Sequence, residues 1–222
     1  MQTKQKEIKK IGVLGSGVVA KTLAEGFKKH GYDVMMGTRY VDKLKNWTEA
    51  GNKAGTFKEA GKFGDILVLA VKGSAAENVL GVIDDRDLQG KIIIDTTNPI
   101  ADEQPVNGVI KFFTELNFSH MEKLQRAYPE AKFVKAFSCV GNAFMVNPDF
   151  EDGKPTMFIA GDSDEAKQKV TEVLEKFGWE VEDMGKAEGA RAIEPLAMLW
   201  CIPGIVKNQW NHAFKLLKKK VE

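Results

Sequence analysis

The chain has few of the residues on which metal sites and disulfide frameworks depend. Among its 222 residues there are two cysteines, Cys139 and Cys201, and three histidines. The cysteines are too far apart to form a C-x-x-C motif, and the histidines do not have the spacing of metal ligands. We therefore expect no metal site, and we expect both thiols to be reduced, as in a cytoplasmic protein.

Long apolar runs and an excess of charge of one sign are also missing. No stretch approaches the about 18 apolar residues of a membrane-spanning helix, and residues 1–10 are polar and lysine-rich, unlike a signal peptide. The formal net charge of +1 gives no bulk attraction to nucleic acid or to a membrane surface. The expected partners are therefore small molecules, with no nucleic acid and no membrane, in a protein located in the cytoplasm.

The strongest pattern in the chain lies between residues 8 and 39. A short apolar run is followed by the turn Gly15-Ser16-Gly17-Val18-Val19-Ala20, which is a G-x-G-x-x-A sequence. Apolar residues then recur at helical spacing, and a second apolar run begins at Val34. This order of strand, glycine turn, helix and strand within about 30 residues is typical of one βαβ unit that binds a dinucleotide.

The residue types in this turn suit a pyrophosphate. Gly15 allows the sharp turn from strand to helix, Gly17 has no Cβ to keep a phosphate from the backbone, and Ala20 lets the helix pack closely. The first N–H groups of the helix then face the phosphates. We assign pyrophosphate binding to Gly15, Ser16, Gly17, Val18 and Val19; the alternative is a strand–helix turn that binds nothing.

The end of the second strand indicates which dinucleotide binds. NAD-binding chains usually have Asp or Glu there, whereas this chain has Gly37-Thr38-Arg39 and, four residues later, Lys43. A guanidinium can clamp the 2′-phosphate of NADP with two hydrogen bonds, and the Thr38 hydroxyl can donate another. We therefore predict that Thr38, Arg39 and Lys43 bind the 2′-phosphate of NADP(H). The alternative for Arg39 and Lys43 is an ordinary solvated helix start.

Further apolar runs at residues 65–71, 91–95 and 132–137 resemble strands that are buried on both faces of a parallel sheet. The turn-rich segment 147–155 then separates them from a second strand–helix–strand pattern and a helical end. The predicted fold is α/β: a Rossmann-type, doubly wound, mostly parallel sheet with a small C-terminal α/β and helical extension. The predicted domains are residues 1–146, which bind NADP, and residues 147–222, which complete the sheet and the cleft.

In open α/β sheets the ligand lies beyond the carboxyl ends of the strands. The residues that follow the later strands should therefore form the other walls of the cleft. We predict that the following residues line the same crevice as the glycine turn: Val71, Lys72, Thr97, Asn98, Pro99, Ser138, Val140 and Asn142.

Apolar spacing predicts helical segments within residues 101–129, interrupted near residues 117–119. A further helix should begin near Glu188, kink or restart at Pro195 and break at residues 202–204. A last helix should then extend to the lysine-rich segment 215–220, which is typical of a solvated helix end. Apolar residues on these C-terminal helices favour a homodimer.

Three side chains allow more than one interpretation. Arg191 and Glu194 are three residues apart, which favours an intrahelical ion pair, with contact to a partner subunit or second substrate as the alternative. Cys139 follows a predicted strand, where functional residues collect, but a packing role is favoured because nothing in its sequence context lowers its pKa.

The chain resembles a known family at several of these motifs: G-x-L-G-S-G-x-V-A-x-x-L-A, G-T-R, D-I-x-V-L-A-V, I-I-D-x-T-N-P and the segment Ala190 to Leu196. These are similar to the NADP oxidoreductases that use the deazaflavin coenzyme F420, and the resemblance covers about residues 8–217. The cytoplasmic domain of the STEAP metalloreductases is similar in fold.

The resemblance implies hydride transfer between the nicotinamide and a deazaflavin or a flavin-like acceptor. In that family the protein stacks two rings at the right distance, so no catalytic side chain is implied. By the same resemblance, the crevice residues that follow the later strands would surround the nicotinamide half of NADP(H). The second cofactor would lie over Asn142 and Ala143, near Met198, Cys201 and Pro203. Two alternatives are an NADPH-dependent reductase of a small imine or carbonyl compound, which needs a proton donor, and a non-catalytic dinucleotide-binding module.

Overall fold

The computed structural model describes residues 9–219, so the expectations for the polar residues 1–8 and for Lys220 lie outside the described residues. The described chain forms eight strands and eight helices, which are numbered in chain order: β1 Lys10–Leu14, α1 Val18–Lys29, β2 Asp33–Gly37, α2 Lys45–Glu49, β3 Lys53–Gly55, α3 Phe57–Phe63, β4 Ile66–Leu69, α4 Ala76–Leu80, α5 Asp85–Leu88, β5 Ile92–Asp95, α6 His120–Ala127, β6 Lys132–Lys135, β7 Thr156–Ile159, α7 Asp164–Lys176, β8 Glu180–Asp183 and α8 Ala190–Lys207.

Six parallel strands form the main sheet, in the order β3-β2-β1-β4-β5-β6. The order reverses beside β1, so the ends of β1 and β4 face a crevice at the carboxyl edge. This arrangement confirms the predicted Rossmann-type α/β class. The short edge strand β3 was not predicted, because three residues carry too little periodicity to be recognised.

The alternation of side chains along β4 explains its continuous apolar sequence. Ile66 and Val68 point into the core on one face of the sheet, whereas Leu67 and Leu69 point into the core on the other face. All four are fully buried. A strand that is covered on both faces has no solvent side on which to place polar residues.

The strand–helix–strand unit β7-α7-β8 has a two-stranded parallel sheet of its own. It joins the main sheet where the Lys135 amide donates to the Ala160 carbonyl at 2.9 Å, in an antiparallel bridge. Phe177, at the end of α7, packs on Phe27 of α1 with ring centroids 4.9 Å apart. The two segments therefore share one apolar core, and the division at residues 146 and 147 stays a prediction.

The helical segment expected before residue 117 is absent from the described chain. Residues 101–118 instead form tight turns with isolated bridges, including Ile100 to Phe112 and Val106 to Val109. Asn107 and Gly108 both have positive φ, which ends any helix at this point. Helix α6 begins only after Ser119, which forms a capping box with Glu122.

The C-terminal helices also differ from the prediction. Helix α8 continues without a break through Pro195 and Pro203, because its inward face is held in the core by residues such as Ile193 and Ala197. It ends at Asn208, whose φ is +54°. Residues 208–219 are not helical, so the predicted last helix and solvated helix end are wrong for these residues.

Residues 208–219, which we call the C-terminal strap, fold back along the protein. The Thr156 amide donates to the Phe214 carbonyl at 2.9 Å, and the Leu216 amide donates to Thr156 Oγ1 at 3.0 Å. Trp200 Nε1 donates to the His212 carbonyl at 2.9 Å. Backbone groups that a helix would have satisfied internally are thus paired with β7 and α8.

The segment Ala187–Lys207 has the length and composition of a membrane span, with a mean hydropathy of 1.2, contrary to the expectation from apolar runs. One such helix is weak evidence, since core helices of soluble proteins meet the same criteria. In this segment Glu194 is 2% exposed and ion-paired within the fold.

Candidate functional site

A cleft of about 550 Å³ lies at the carboxyl ends of β1, β2 and β4. Ten of the predicted residues line it: Gly15, Ser16, Gly17, Val18, Val19, Thr38, Arg39, Lys43, Val71 and Lys72. It is also lined by residues that the sequence did not single out: Tyr40, Phe57, Ala70, Ala75, Val79 and Thr96. The cleft therefore brings together the predicted pyrophosphate, 2′-phosphate and first nicotinamide residues.

Gly15 is required by the fold itself. Its φ is +145°, a conformation that side chains rarely adopt, and its amide donates to the Gly37 carbonyl at 2.9 Å. A Cβ at this position would overlap the carbonyl oxygen of Ala70. The turn between β1 and α1 is thus fixed against both neighbouring strands.

Gly17 differs, because a Cβ there would meet no atom of residues 9–219 within 4 Å. It is the N-cap of α1, and no side chain caps this helix end. The first amide groups of α1 therefore point into open space at the positive end of the helix dipole. This arrangement fits a phosphate group, which would take the space that a side chain would fill.

Thr38 joins the glycine turn to the end of β2. It is only 3% exposed, and its hydroxyl donates to Ser16 Oγ at 3.3 Å. The Tyr40 amide donates to Thr38 Oγ1 at 3.4 Å. In this arrangement Thr38 holds the two loops together at the predicted 2′-phosphate end of the cleft.

Arg39 and Lys43 are exposed at the mouth of the cleft. Lys43 lies in a 3₁₀ turn rather than an α-helix, and its ammonium is 5.3 Å from the centre of the Tyr40 ring. Within residues 9–219 neither side chain forms an ion pair with a carboxylate. Both charges are therefore free to interact with an anion in the cleft.

The remaining predicted residues lie on two adjacent loops but do not line this cleft: Thr97, Asn98, Pro99, Ser138, Val140 and Asn142. Asn98 Nδ2 donates to the Ser138 carbonyl at 3.1 Å, which joins the loop after β5 to the loop after β6. Asn98 Oδ1 and Ser138 Oγ are buried without a hydrogen-bond partner in the described part of the chain. A carboxamide, which carries both donors and an acceptor, has the chemistry to pair with them.

A buried polar network below these loops was not predicted. Lys135 lies within 2.7 Å of Asp95 Oδ2 and 3.0 Å of Glu194 Oε1. His120 is 1% exposed nearby on α6, and its ring nitrogens have no hydrogen-bond partner among the described residues. Burial lowers the pKa of His120 despite the carboxylates around it. The only sequence signal was that Asp95 and Lys135 are charged residues at the ends of apolar strands.

A second, mostly apolar cavity of about 620 Å³ lies between the 106–119 segment and α8. Of the residues predicted near a second cofactor, Met198 lines this cavity, whereas Asn142, Ala143, Cys201 and Pro203 do not. The rest of its lining is Val106, Val109, Ile110, Lys111, Phe112, Thr114, Glu115, Leu116, Ser119, Arg191, Glu194 and Pro195.

The expected intrahelical pair of Arg191 and Glu194 is not formed. Arg191 instead binds Glu122 of α6 through two hydrogen bonds of 2.6 and 3.0 Å. Burial alone would raise the pKa of Glu122, but the bonds from Arg191 and Ser119 outweigh it and lower the pKa to about 2. Two side chains that are three residues apart on a helix do not pair with each other when each has a closer partner on another element.

Cys139 lies in the core at 4% exposure. Burial raises the pKa of its thiol to about 12, so the reactive thiolate is scarce at neutral pH. The structure supports the packing role for this residue.

Comparison with known proteins shows what this chain is similar to. Residues 10–99 match the model of the family described as "NADP oxidoreductase coenzyme F420-dependent". The chain is 29% identical over 205 residues to the metalloreductase STEAP3 of Rattus norvegicus, across 90% of this chain and 40% of the relative. It therefore spans about two fifths of the length of the curated relatives that it matches.

A crystal structure from Arthrobacter sp. FB24, provisionally described as an F420-dependent NADP reductase, matches with a TM-score of 0.87 and 26% identity. The match covers 96% of this chain and 100% of that one. An imine reductase of Streptomyces aurantiacus shares the fold, with a TM-score of 0.69 and 15% identity over 90% of this chain and 64% of its own.

The comparisons confirm the predicted resemblance to NADP-dependent oxidoreductases. Residues 10–99 match this family model, and the chain has the Rossmann-like α/β fold.

Proposed function

We propose that this protein transfers hydride between NADP(H) and an aromatic ring acceptor, either coenzyme F420 or a flavin-like compound. The observation that carries the proposal is the cleft itself. It combines the N-terminus of α1, above an open Gly17, with two cations at its mouth, Arg39 and Lys43, which form no ion pair with the carboxylates of the described residues. These are the groups that a pyrophosphate and a 2′-phosphate require.

The protein residues would bind and orient the dinucleotide. The N-terminus of α1 would hold the pyrophosphate, and Arg39 and Lys43 would hold the 2′-phosphate. Asn98 and Ser138 supply buried polar atoms of the kind that a nicotinamide carboxamide can satisfy. When bound, the nicotinamide supplies the hydride chemistry.

The titratable residues of the cleft favour a ring acceptor over an imine or a carbonyl. Among the described lining residues they are Arg39, Tyr40, Lys43 and Lys72. Lys72 is highly exposed and ion-paired with Asp102 at 2.9 Å, so it is not positioned as a buried proton donor. Hydride transfer to a ring needs alignment of the two partners rather than a side-chain acid, which agrees with this lining.

The second cavity suits an aromatic ring. Its volume and apolar lining are in the usual range for sites that bind small molecules. One of its lining residues, Glu194, lies 3.0 Å from Lys135 Nζ, and the same ammonium donates to the Thr97 carbonyl at 2.8 Å. The cavity wall is therefore connected through Lys135 to a loop that we assign to the nicotinamide half.

The test is an acceptor panel with NADPH as the donor, followed by nicotinamide absorbance. The acceptors are coenzyme F420, FMN and FAD, a cyclic imine, a 2-keto acid and a ferric chelate, the last because the relatives are named metalloreductases. Turnover with F420 or a flavin supports the proposal. Turnover confined to the imine or keto acid would replace it, and NADPH binding without any turnover would indicate a binding module.

We also propose a cytoplasmic homodimer that uses the outer face of α8. Leu199, Ile205 and Val206 are 54%, 38% and 57% exposed there, which leaves an apolar surface. Sedimentation of the wild type and of Leu199→Glu tests the dimer, since the charged variant should sediment as a monomer. Cell fractionation tests the location, and recovery in the membrane fraction would contradict it.

A further inference from the structure

The ammonium of Lys135 is the meeting point of three separate segments. Its side chain is fully buried, and its Nζ lies 2.7 Å from Asp95 Oδ2, 2.8 Å from the Thr97 carbonyl and 3.0 Å from Glu194 Oε1. Burial opposes the charge, but Asp95 and Glu194 outweigh it and raise the pKa of Lys135 above its ordinary value. The group is therefore an ammonium that donates to the Thr97 carbonyl and forms ion pairs with both carboxylates.

On one side the ammonium fixes the loop after β5. Asp95 Oδ1 accepts from the Thr97 amide at 2.9 Å and from the Thr97 hydroxyl at 2.6 Å, while Lys135 holds the Thr97 carbonyl. The amide, the hydroxyl and the carbonyl of Thr97 thus each bind either Asp95 or Lys135. Asn98 is next in the chain and reaches the neighbouring Ser138 loop.

On the other side the ammonium holds the wall of the apolar cavity. Glu194 accepts from the amides of His120 at 2.9 Å and Met121 at 3.0 Å, so a residue of α8 caps the start of α6. Glu194 also lines the cavity. A single lysine therefore connects the strand-end loop to both helices beside the cavity.

Burying these three charged groups costs free energy, so they are a poor source of stability. A buried cation with two carboxylates loses hydration that the mutual attraction only partly restores, and apolar replacements of such groups are often equally stable. Their advantage is geometric, because charged hydrogen bonds hold distances and directions that apolar contacts do not fix.

We propose that Lys135 is a positioning residue for hydride transfer, which sets the distance between the Thr97–Asn98 loop and the cavity wall at Glu194. This inference rests on the function proposed above, since it assigns the nicotinamide and its acceptor to those two places. Lys135 acts through Thr97 and Glu194 and does not itself touch the reacting rings.

The test compares Lys135→Met with Lys167→Met. Lys167 is a matched control: its side chain is 7% exposed and lies between Asp183 at 2.8 Å and Asp164 at 3.2 Å, on α7 and outside both cavities. Glu194→Gln is a second variant. It leaves the ion pair of Lys135 and Asp95, which has no net charge, in place, and it should fold even if Lys135→Met does not.

Three quantities are measured: the NADPH Kd, the single-turnover rate of acceptor reduction, and amide hydrogen exchange in peptides covering residues 95–99 and 118–123. In Lys135→Met the rate should fall about 10- to 100-fold while Kd changes by less than about threefold. Exchange should rise about tenfold in both peptides together. In Glu194→Gln, amide exchange should rise in the 118–123 peptide. Lys167→Met should change neither the exchange of the two peptides nor the rate of acceptor reduction.

The inference is overturned if Lys135→Met or Glu194→Gln folds and leaves exchange in these peptides as in the wild type. It is also overturned if Lys135→Met transfers hydride at the wild-type rate. Failure of the proposed function gives a different result, in which the wild type itself reduces no acceptor. In that case the exchange measurement alone decides the role of Lys135.

Discussion

Gly15 lies directly against the carbonyl of Ala70, with no room for a Cβ between them. Gly17, two residues further on, faces open space. The two glycines of the same turn are therefore needed for different reasons. Gly15 allows β1, β4 and α1 to pack, whereas Gly17 keeps the helix N-terminus accessible to a ligand.

Alanine at each position should separate these roles. Gly15→Ala should lose about 2–5 kcal/mol of unfolding free energy, from the strained positive φ and the overlap with Ala70. Gly17 has φ −77°, which alanine adopts freely, so Gly17→Ala should keep the wild-type Tm. Its NADPH Kd should rise about tenfold, which corresponds to about 1.4 kcal/mol. Thermal melts and fluorescence titrations measure both, and unchanged NADPH affinity in Gly17→Ala would contradict the assignment of the phosphate site.

Arg39→Ala should discriminate between the two nicotinamide dinucleotides. Loss of charged hydrogen bonds to the 2′-phosphate should raise the NADPH Kd about 10- to 100-fold, while the NADH Kd changes little. Lys45→Ala is the control, because Lys45 is a nearby cation that pairs with Glu49 and does not line the cleft. Equal affinity of the unmutated protein for NADPH and NADH would rule out the 2′-phosphate site.

The phosphate-binding part of the candidate site was predictable because the residues that form it are close together in the sequence. Gly15, Gly17 and Arg39 act through backbone freedom and charge at fixed positions in one βαβ unit, so a short sequence shows them. The contacts of Lys135 and Glu194 could not be foreseen, since the two residues are far apart in the chain and meet only after the sheet and α8 have packed. Local rules likewise placed a break at Pro203, but tertiary packing kept α8 intact through it.

Glu122 should make stability dependent on pH in acid. Its pKa is about 2 in the folded protein and near its ordinary value when unfolded, so the unfolded state binds a proton first as pH falls. The stability from the Arg191–Glu122 pair is therefore complete above about pH 4.5 and is lost between about pH 4.5 and 2.

Glu122→Gln isolates this contribution. At pH 7 the variant should be about 1–3 kcal/mol less stable than the wild type, and the difference should vanish near pH 2. Other acid-sensitive groups, such as the buried His120, are common to both proteins and cancel in the comparison. Glu49→Gln, at an exposed pair with Lys45, should change stability little at any pH. Urea unfolding across the pH range gives the values, and a constant difference would contradict the linkage.

Cys139 should not react in the native protein. With its pKa raised to about 12 by burial, it should escape iodoacetamide at pH 8, whereas the half-buried Cys201 should be labelled slowly. Intact mass should show one adduct on the native protein and two after unfolding in guanidinium. Rapid labelling of Cys139 in the folded state would reopen a functional role for the thiol.

The C-terminal strap should be held by Thr156. This residue is 3% exposed, its amide donates to Phe214 and its hydroxyl accepts from the Leu216 amide. Thr156→Val keeps the shape but removes the acceptor, which should cost about 1 kcal/mol of stability. Thr156→Ser keeps the hydroxyl and should preserve the attachment of the strap.

Trypsin provides the readout, because Lys215, Lys218 and Lys219 lie in the strap. Cleavage there should be faster in Thr156→Val than in Thr156→Ser or the wild type, since cleavage follows the fraction of strap that is detached. The NADPH Kd should be equal in all three proteins, because no strap residue lines the cleft. Equal cleavage rates would show that the strap is held by Trp200 and His212 rather than by the edge of β7.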